Sequence, residues 1–248
     1  MSRDARELGG AWASFQTITH AAAPPGLSSV IDHCWTADWD LRGQAPYRQK
    51  IIPTPTVHLA FRDGVPFVTG PARRHVVRNL EGRGSVFGIA FRPGCFRPFL
   101  GRAVATLVGR SLPAAEIFGV APGCATVEQF LRDRLRPDPT ADAVAAMVDR
   151  IRLDRRLTRV DALAAAEGIG VRRLQRLFQE YVGLGPKWVI RRYRLQEVTE
   201  RLGGGIALPD WAALAAKLGY ADQAHFVRDF TAMVGESPSV YARRYPSG

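Results

Sequence analysis

The sequence predicts an α+β protein with two domains. A small β-rich N-terminal domain, folded as a sandwich or a cupin-like barrel, precedes an all-α domain of two helix-turn-helix units joined by a long helix. Turn-separated runs of β-branched and aromatic residues fill residues 27–99, and helical periodicity fills the chain after residue 139. Because 46% of the 248 residues are hydrophobic, each part can bury a core.

Strands and tight turns define the N-terminal domain. Asp63-Gly64 predicts a hairpin turn because both residues tolerate positive backbone angles. Pro137-Asp138-Pro139 disfavours helix before each proline, which places the predicted boundary between domains of residues 1–136 and 137–248. The predicted strands lie at residues 28–35, 56–61, 66–68, 75–80 and 86–91, and short helices at 103–108, 114–118 and 126–135.

The charge of the chain points to an anionic partner. Lys+Arg number 34 and Asp+Glu 23, a formal net charge of +11, which favours nucleic acid ahead of a membrane surface. Only three of the basic residues are lysines. Arginine suits bidentate contacts to phosphate and guanine, although a GC-rich coding bias would produce the same excess. The densest basic cluster lies between Arg172 and Arg194.

Cysteine usage and the N-terminus bear on the compartment. Cys34, Cys95 and Cys124 are too widely spaced for a zinc ribbon, and their odd number argues against a disulfide framework. Residues 1–7 carry both charge signs and no apolar segment follows them, so no secretory signal is predicted. A run of about 18 uncharged apolar residues is absent from the sequence. We therefore expect a cytoplasmic protein with no membrane partner.

Residues 158–182 have the order of a helix-turn-helix unit, with a short Ala-rich helix, a turn containing glycine and an amphipathic second helix. Thr158 is the predicted N-cap of the first helix. Helical spacing predicts that the second helix buries Leu174, Leu177, Phe178 and Tyr181. Its outer face then carries Arg172, Arg173, Gln175, Arg176 and Gln179. Taken alone, this face is either a solvated surface or a surface that reads bases.

A second segment repeats the arrangement. Residues 209–220 predict a short helix ending in glycine, and Asp222 is the predicted N-cap of a helix that buries Phe226, Phe230 and Met233. The outer face of this helix carries Gln223, Ala224, Val227 and Arg228. Arginine pairs with guanine, glutamine with adenine, and a small apolar side chain meets the thymine methyl group. The repeat therefore favours base reading in the major groove of double-stranded DNA.

A long helix is predicted between the two units. Pro186 suits the first position of a helix, and residues 187–202 continue it with Trp188, Val189, Tyr193 and Leu195 among basic residues. At 1.5 Å per residue this helix is roughly 25 Å long. A rigid spacer of this length can hold two recognition helices near the separation of successive major grooves, about 34 Å.

Five stretches of this region form a specific pattern, namely Leu174-Gln175-Arg176-Leu177-Phe178, Gly183-Leu184-Gly185-Pro186, Arg192-Tyr193-Arg194-Leu195, Gly219-Tyr220-Ala221-Asp222-Gln223-Ala224-His225-Phe226-Val227-Arg228-Asp229-Phe230 and Gly235-Glu236-Ser237-Pro238-Ser239-Val240-Tyr241. In them the chain resembles the AraC/XylS family of bacterial transcription regulators, whose DNA-binding domain joins two helix-turn-helix units by a long helix. The sequence departs from the family at Gly170, where a serine N-cap is usual. That loss is worth only a few tenths of a kcal/mol.

The resemblance implies which side chains contact DNA. Bases would be met by Arg172, Gln175 and Arg176 in the first unit and by Gln223, Ala224, Val227 and Arg228 in the second. We predict phosphate contacts for Arg173, Lys187, Arg191 and Arg192. The function expected is sequence-specific transcription regulation.

Family resemblance also bears on the N-terminal domain, which in AraC-like regulators commonly binds an effector, mediates dimerisation, or both. The stretch Gly88-Ile89-Ala90-Phe91-Arg92-Pro93-Gly94 resembles, more weakly, the sensor half of one branch. We therefore expect control by a small-molecule effector or by homodimerisation. Arg73, Arg74, Arg78 and Arg92 are either contacts for an acidic small molecule or ordinary surface residues.

Other chemistries have weaker signals. His58 and His75 could belong to a cupin-like metal site, but no His-x-His pair accompanies them. Cys95 could be a nucleophile, although a single thiol is more often buried filler. Gly82, Gly84 and Gly88 miss the dinucleotide fingerprint and predict a turn that leads into a strand. We predict no metal, no cofactor, no catalytic residue and no enzymatic activity.

Three alternatives to the regulator remain open from the sequence. A cupin-like ligand-binding protein or enzyme with a helical tail would bind a small molecule and act at no specific operator. A nucleoid-type protein would bind all DNA alike, so the ratio of specific to non-specific affinity separates it from a regulator. RNA binding is disfavoured because the expected aromatic stacking platform is missing.

Overall fold

A computed structural model describes residues 15–203 and 210–243; the N-terminal segment on which the secretory-signal prediction rests lies outside this part. The N-terminal domain is β-rich, as predicted. A six-stranded antiparallel sheet has the order β1-β2-β7-β4-β5-β8, and β3 and β6 form a separate two-stranded ribbon. The strands are β1 Thr17–Ala22, β2 Ile31–Asp40, β3 Tyr47–Ile51, β4 His58–Arg62, β5 Val65–Thr69, β6 Val76–Leu80, β7 Arg83–Phe91 and β8 Ser111–Pro113.

Five of these strands overlap the predicted ones, and β1, β3 and β8 were missed. The side chains of β1 are almost all exposed, so the strand carries no alternation of apolar and polar residues. Polar residues dominate β3, and β8 has only three residues. The predicted turn is confirmed, because Asp63 and Gly64 both have positive φ between β4 and β5.

The two faces of the sheet have different partners. Leu59 and Phe61 of β4 point into a core that α1, α2 and α3 cover, whereas His58 and Ala60 point to the opposite face, toward the ribbon. The helices are α1 Arg97–Leu100, α2 Ala114–Phe118 and α3 Val127–Arg134. The predicted helix at 103–108 is a 3-10 turn, Val104–Leu107.

The C-terminal part is helical throughout its described residues. The helices are α4 Pro139–Leu153, α5 Val160–Ala166, α6 Val171–Tyr181, α7 Pro186–Gly203, α8 Trp211–Lys217, α9 Gln223–Val234 and α10 Pro238–Arg243. Helices α5 and α6 form the first helix-turn-helix unit, α8 and α9 form the second, and α7 joins them. Each unit has its own hydrophobic core, and α7 contributes Val189 and Ile190 to the first and Leu195 and Val198 to the second.

Helix ends match the sequence predictions with one exception. The Asp222 carboxylate accepts a bond from the His225 N–H at 2.7 Å, as an N-cap should. Thr158 was predicted to cap α5, but Arg159 occupies that position and makes no side-chain cap bond. The guanidinium of Arg159 instead pairs with Asp161 at 2.7 Å. The Asp161 carboxylate is therefore not available to accept a bond from the backbone N–H of a capping Thr158, as it would in a capping box.

Around the predicted boundary, Asp138 caps α4 and Pro139 is its first residue. Helix α4 packs on both parts of the molecule, since Ala145 belongs to the N-terminal core and Val144 to the core of the first helix-turn-helix unit. The division at residues 136 and 137 stays a prediction. Within the described ranges, no helix is both long enough and apolar enough to cross a membrane.

Candidate DNA-binding surface and ligand cavity

The first recognition helix, α6, separates apolar from polar side chains as the sequence predicted. Leu174, Phe178 and Tyr181 are buried, and Leu177 is half-buried. Arg172, Gln175 and Arg176, the predicted base contacts, are all exposed. Gly170 is the N-cap and supplies no side-chain bond, so the first turn of α6 leaves backbone N–H groups unpaired by a cap.

The second recognition helix, α9, has the same organisation. Phe226, Phe230 and Met233 are buried. Gln223, Ala224 and Arg228 are exposed, and Val227 is half-buried between them and the core. The predicted base-reading residues therefore form one exposed strip on each recognition helix.

The predicted phosphate contacts divide into two groups. Arg173 and Lys187 are exposed. Arg191 is mostly buried, forms an ion pair with Asp229 at 2.7 Å and lies over the Tyr220 ring.

Arg192 is only 3% exposed, and its guanidinium donates to the carbonyl of Pro53 and to Gln196 Oε1. It joins the two domains instead of facing a phosphate. This corrects its predicted role, because a side chain that is buried against the N-terminal domain cannot reach DNA without opening that contact.

Arg194 belongs to the same basic cluster and is also internal. It is 1% exposed, and its guanidinium donates to the carbonyls of Ile151 and Asp154 and pairs with Glu197 at 2.9 Å. Burial lowers the pKa of Arg194. Its role is to fix α7 against the end of α4, so the density of basic residues in the sequence overstates the positive charge that this surface presents.

A cavity of about 590 Å³ lies between the sheet and the β3–β6 ribbon. Its size is within the range of small-molecule sites. Trp35 and Trp39 of β2 and Phe67 of β5 contribute aromatic surface from the sheet, and Ile51 and Val76 contribute apolar surface from the ribbon. The cavity is therefore enclosed mainly by apolar side chains.

Two glycines explain how the tryptophans lie in this cavity. A Cβ atom on Gly88 would come within 2.2 Å of the Trp35 indole, and one on Gly84 within 2.3 Å of the Trp39 indole. Each indole thus rests directly on the backbone of β7, where any larger residue would displace it. The sequence predicted a turn at Gly84 that leads into a strand containing Gly88, but it gave no sign that these glycines make room for aromatic rings.

The ribbon that covers the cavity also contacts the DNA-binding domain. Ile52, directly after β3, belongs to the core of the second helix-turn-helix unit. His75, directly before β6, donates to the carbonyl of Ala232 in α9 through its backbone N–H at 3.2 Å and its Nδ1 at 3.1 Å. Lys50 Nζ donates to the carbonyl of Gly235 at 3.4 Å. These bonds hold the C-terminal end of the second recognition helix.

A separate contact reaches the first recognition helix. Arg97 of α1 pairs with Glu180 of α6 at 3.0 Å, and its guanidinium lies over the Tyr181 ring. Gly183, just after α6, approaches the N-terminal domain so closely that a Cβ would lie 3.0 Å from the carbonyl oxygen of Val104. Both recognition helices are therefore held at their C-terminal ends, and their exposed N-terminal turns face away from these contacts.

The candidate residues of the N-terminal domain are dispersed. His58 lines the cavity and accepts a bond from Trp35 Nε1 at 3.3 Å, while His75 lies at the domain contact, so the structure does not bring the two histidines together. Cys95 is 1% exposed, its thiol donates to the carbonyl of Ser29, and burial raises its pKa to about 11. Its surroundings are those of a packing residue.

Only one of the four arginines suggested for an acidic ligand lies in the cavity. Arg78 lines it from β6. Arg92 instead pairs with Asp149 of α4 at 2.7 Å. Arg73 and Arg74 are exposed, and the carbonyl of Arg73 accepts a bond from Trp188 Nε1 at 3.2 Å.

Comparison with known proteins gives matches in both parts of the chain. Residues 163–244 match a family model described as a helix-turn-helix domain, and residues 19–113 match one described as a domain of unknown function, DUF6597. No curated protein matches the chain.

Several solved structures are similar to the chain. The C-terminal domain of AraT, a response regulator from Geobacillus stearothermophilus, is 21% identical with a TM-score of 0.38, covering 46% of this chain and 92% of that one. ToxT from Vibrio cholerae O395 is 11% identical with a TM-score of 0.39, covering 93% and 97%. Unsaturated fatty acid bound ToxT from strain SCE256 is 12% identical with a TM-score of 0.36, covering 93% and 95%.

The matched helix-turn-helix region contains both recognition helices and the helix that joins them. This double unit, with its exposed Arg and Gln side chains, is the arrangement that the five sequence stretches predicted. Residues 163–244 therefore form a helix-turn-helix domain, which supports the resemblance of this region to the AraC/XylS family of DNA-binding transcription regulators.

Proposed function

We propose that this regulator reads a specific DNA sequence through the exposed strips of α6 and α9. The contacts to bases are made by Arg172, Gln175 and Arg176 in one major groove and by Gln223, Ala224, Val227 and Arg228 in the next. The exposure of these side chains on helices whose opposite faces are buried supports the assignment. Arg173 and Lys187 contact phosphates.

The N-terminal domain controls this activity through a small molecule that binds in the cavity. The observation that carries this proposal is that one ribbon both covers the cavity and holds the DNA-binding domain. Ile51 and Val76 face the cavity, while the adjacent residues Ile52 and His75 contact the second helix-turn-helix unit. A ligand that moves the ribbon therefore changes the free energy of the contact with α9, which is the differential interaction that an effector needs.

Selection of bound fragments from random double-stranded DNA tests whether the protein recognises a specific base sequence. We expect enrichment of a motif whose two parts are centred about 10 base pairs apart, one for each recognition helix. Arg176→Ala should relax the preference in one part and Arg228→Ala in the other, each at a cost of about 1–3 kcal/mol for the selected site.

The matched control is Arg42→Ala, which removes one exposed arginine of the N-terminal domain and should leave the motif unchanged. Failure to enrich any motif, or equal loss of affinity for all sequences in the α6 and α9 variants, would contradict base reading. Footprints of the selected site measure dimerisation as well, since a dimer lengthens the protected region from about two helical turns toward four.

A further inference from the structure

We propose that the cavity binds an apolar organic acid, whose carboxylate is held by Arg78, Gln49 and Gln16 and whose hydrocarbon body lies on the indoles of Trp35 and Trp39. This inference rests on the proposed effector cavity and names the chemical class of the effector. The residues that carry it come from the ribbon, from the segment before β1 and from the sheet.

Strand alternation places a cation on the inner face of the ribbon. Gln49 and Ile51 of β3 and Val76, Arg78 and Leu80 of β6 all line the cavity, which is the period-2 pattern of one ribbon face. Gln49 and Arg78 are direct partners in the antiparallel register, so their side chains project next to each other.

Arg78 occupies a position where burial without a partner is costly. Its neighbours on this ribbon face are Ile51, Val76 and Leu80, and it is half-buried. Among residues 15–203 and 210–243, no carboxylate forms an ion pair with it. An arginine in such a site attracts an anion more strongly than an exposed one, because the surroundings screen its charge less than water does.

Besides Arg78, Gln16 provides a hydrogen-bond donor whose partner is missing from the described part of the chain. Its side chain lines the cavity and is only 5% exposed, and its Nε2 has no hydrogen-bond partner among the described residues. A buried donor without a partner destabilises the free protein, and a hydrogen-bond acceptor on a ligand would satisfy it. The ring of the preceding residue, Phe15, stacks on Tyr47 at 4.3 Å, so Gln16 follows a residue that contacts the Tyr47 end of the ribbon, and the Gln49–Arg78 pair lies two residues farther along the ribbon.

The rest of the cavity selects an apolar body. Trp35, Trp39 and Phe67 provide broad aromatic surfaces, and Ile51 and Val76 lie on the side nearest the DNA-binding domain. The other charged residues of the lining, Arg62 and Asp63, are exposed neighbours at the β4–β5 turn. Arg78 is therefore the charged side chain that a ligand within the cavity would contact. A carboxylate accepts two bonds from a guanidinium and keeps lone pairs for amide donors, whereas a sugar would leave most of its hydroxyl groups against hydrocarbon.

Binding of matched acids and alcohols to the intact protein tests the proposal. The probes are decanoate and 4-phenylbutanoate, with 1-decanol and 4-phenylbutanol as neutral counterparts, and quenching of tryptophan fluorescence reports occupancy. We expect each acid to bind at least tenfold more tightly than its alcohol. Arg78→Met should lower the affinity for the acids at least tenfold and change the affinity for the alcohols less than twofold. Arg78→Lys should retain part of the preference for acids over alcohols, because it keeps the charge and loses the bidentate geometry.

Arg74→Met is the control, because Arg74 is exposed outside the cavity and its loss should leave all four affinities unchanged. Far-UV circular dichroism establishes that each variant is folded, and Arg78→Lys provides the comparison if Arg78→Met is not. Equal binding of acids and alcohols, absence of binding by all four probes, or the same loss in Arg74→Met as in Arg78→Met would overturn the assignment of an acid.

DNA affinity measured with and without decanoate separates this proposal from the one on which it rests. Acid binding that depends on Arg78 but leaves DNA affinity unchanged supports the ligand class and contradicts effector control. Alcohols that bind as well as acids and change DNA affinity support effector control and contradict the ligand class.

Discussion

Replacement of Arg192 by methionine distinguishes its observed place between the domains from the predicted contact to DNA. The guanidinium is buried and donates to the carbonyl of Pro53 and to Gln196. Methionine keeps much of the buried aliphatic volume while removing the charge and both bonds. A hydrogen bond to a charged group contributes about 1.5–3 kcal/mol.

Only the bond to the Pro53 carbonyl is fully buried, while water can replace much of the part-buried bond to Gln196, so we expect the intact protein to lose about the free energy of one such bond in the Arg192→Met variant. For a chain of this size, 1 kcal/mol corresponds to roughly 2–4 °C in Tm, so the expected decrease is about 3–12 °C. The salt dependence of DNA binding should not change, because no phosphate contact has been removed.

Thermal unfolding and DNA affinity at several salt concentrations measure the two effects. Lys187→Ala is the comparison, since this exposed residue should contact a phosphate and its loss should reduce the slope of log K against log salt by about 0.9 without lowering Tm. The reasoning fails if Arg192→Met gives the reduced slope and an unchanged Tm, which is the result that the sequence alone predicted.

Three further substitutions or truncations test the fold. Residues 138–248 should fold alone and bind DNA, because α4–α10 supply nearly all of two cores, to which the N-terminal domain adds Ile52; aggregation that residues 1–136 relieve would show a shared core. Gly170→Ser should raise stability by a few tenths of a kcal/mol, since the position has open space and an extended N-cap conformation, and unchanged chemical unfolding would argue against cap formation. Gly88→Ala should lower stability by about 1–3 kcal/mol and alter tryptophan fluorescence by displacing Trp35, so a neutral effect would show that the indole does not rest on β7.

The C-terminal domain was predictable because its signals are local. Leu174 and Phe178 are four residues apart, so one turn of helix suffices to place both in the core and to expose Arg176 between them. The N-cap at Asp222 is likewise local, because its carboxylate bonds to the N–H of His225, three residues along the chain. Helix-turn-helix units repeat such short-range rules, and the sequence therefore predicted their order and their exposed faces.

The N-terminal sheet depends on pairing between distant strands, and there the sequence predicted less. Strand β3 pairs with β6 across a separation of about 30 residues, and its polar composition does not show that Gln49 will face a cavity. The same limit applies to Trp35, whose indole needs Gly88 on the neighbouring strand. The sequence pattern identified strands in which apolar residues alternate with polar ones. It missed strands, such as β3, whose position depends on pairing with a distant strand.

Arg192 shows why residue type alone misassigned part of the DNA surface. Its carbonyl partner on Pro53 is 139 residues away, and that contact exists only because the chain directly after β3 reaches α7. The arginine guanidinium can donate either to a phosphate or to a backbone carbonyl, so residue type alone does not separate a residue that binds DNA from one that couples the domains. Lys187, the proposed phosphate contact, lies on the same helix five residues before Arg192. Under the proposed effector control, a change in the ribbon that releases Arg192 would alter the domain contact and add a cation close to the proposed DNA surface at the same time, so a ligand in the cavity would have two physical routes to DNA affinity.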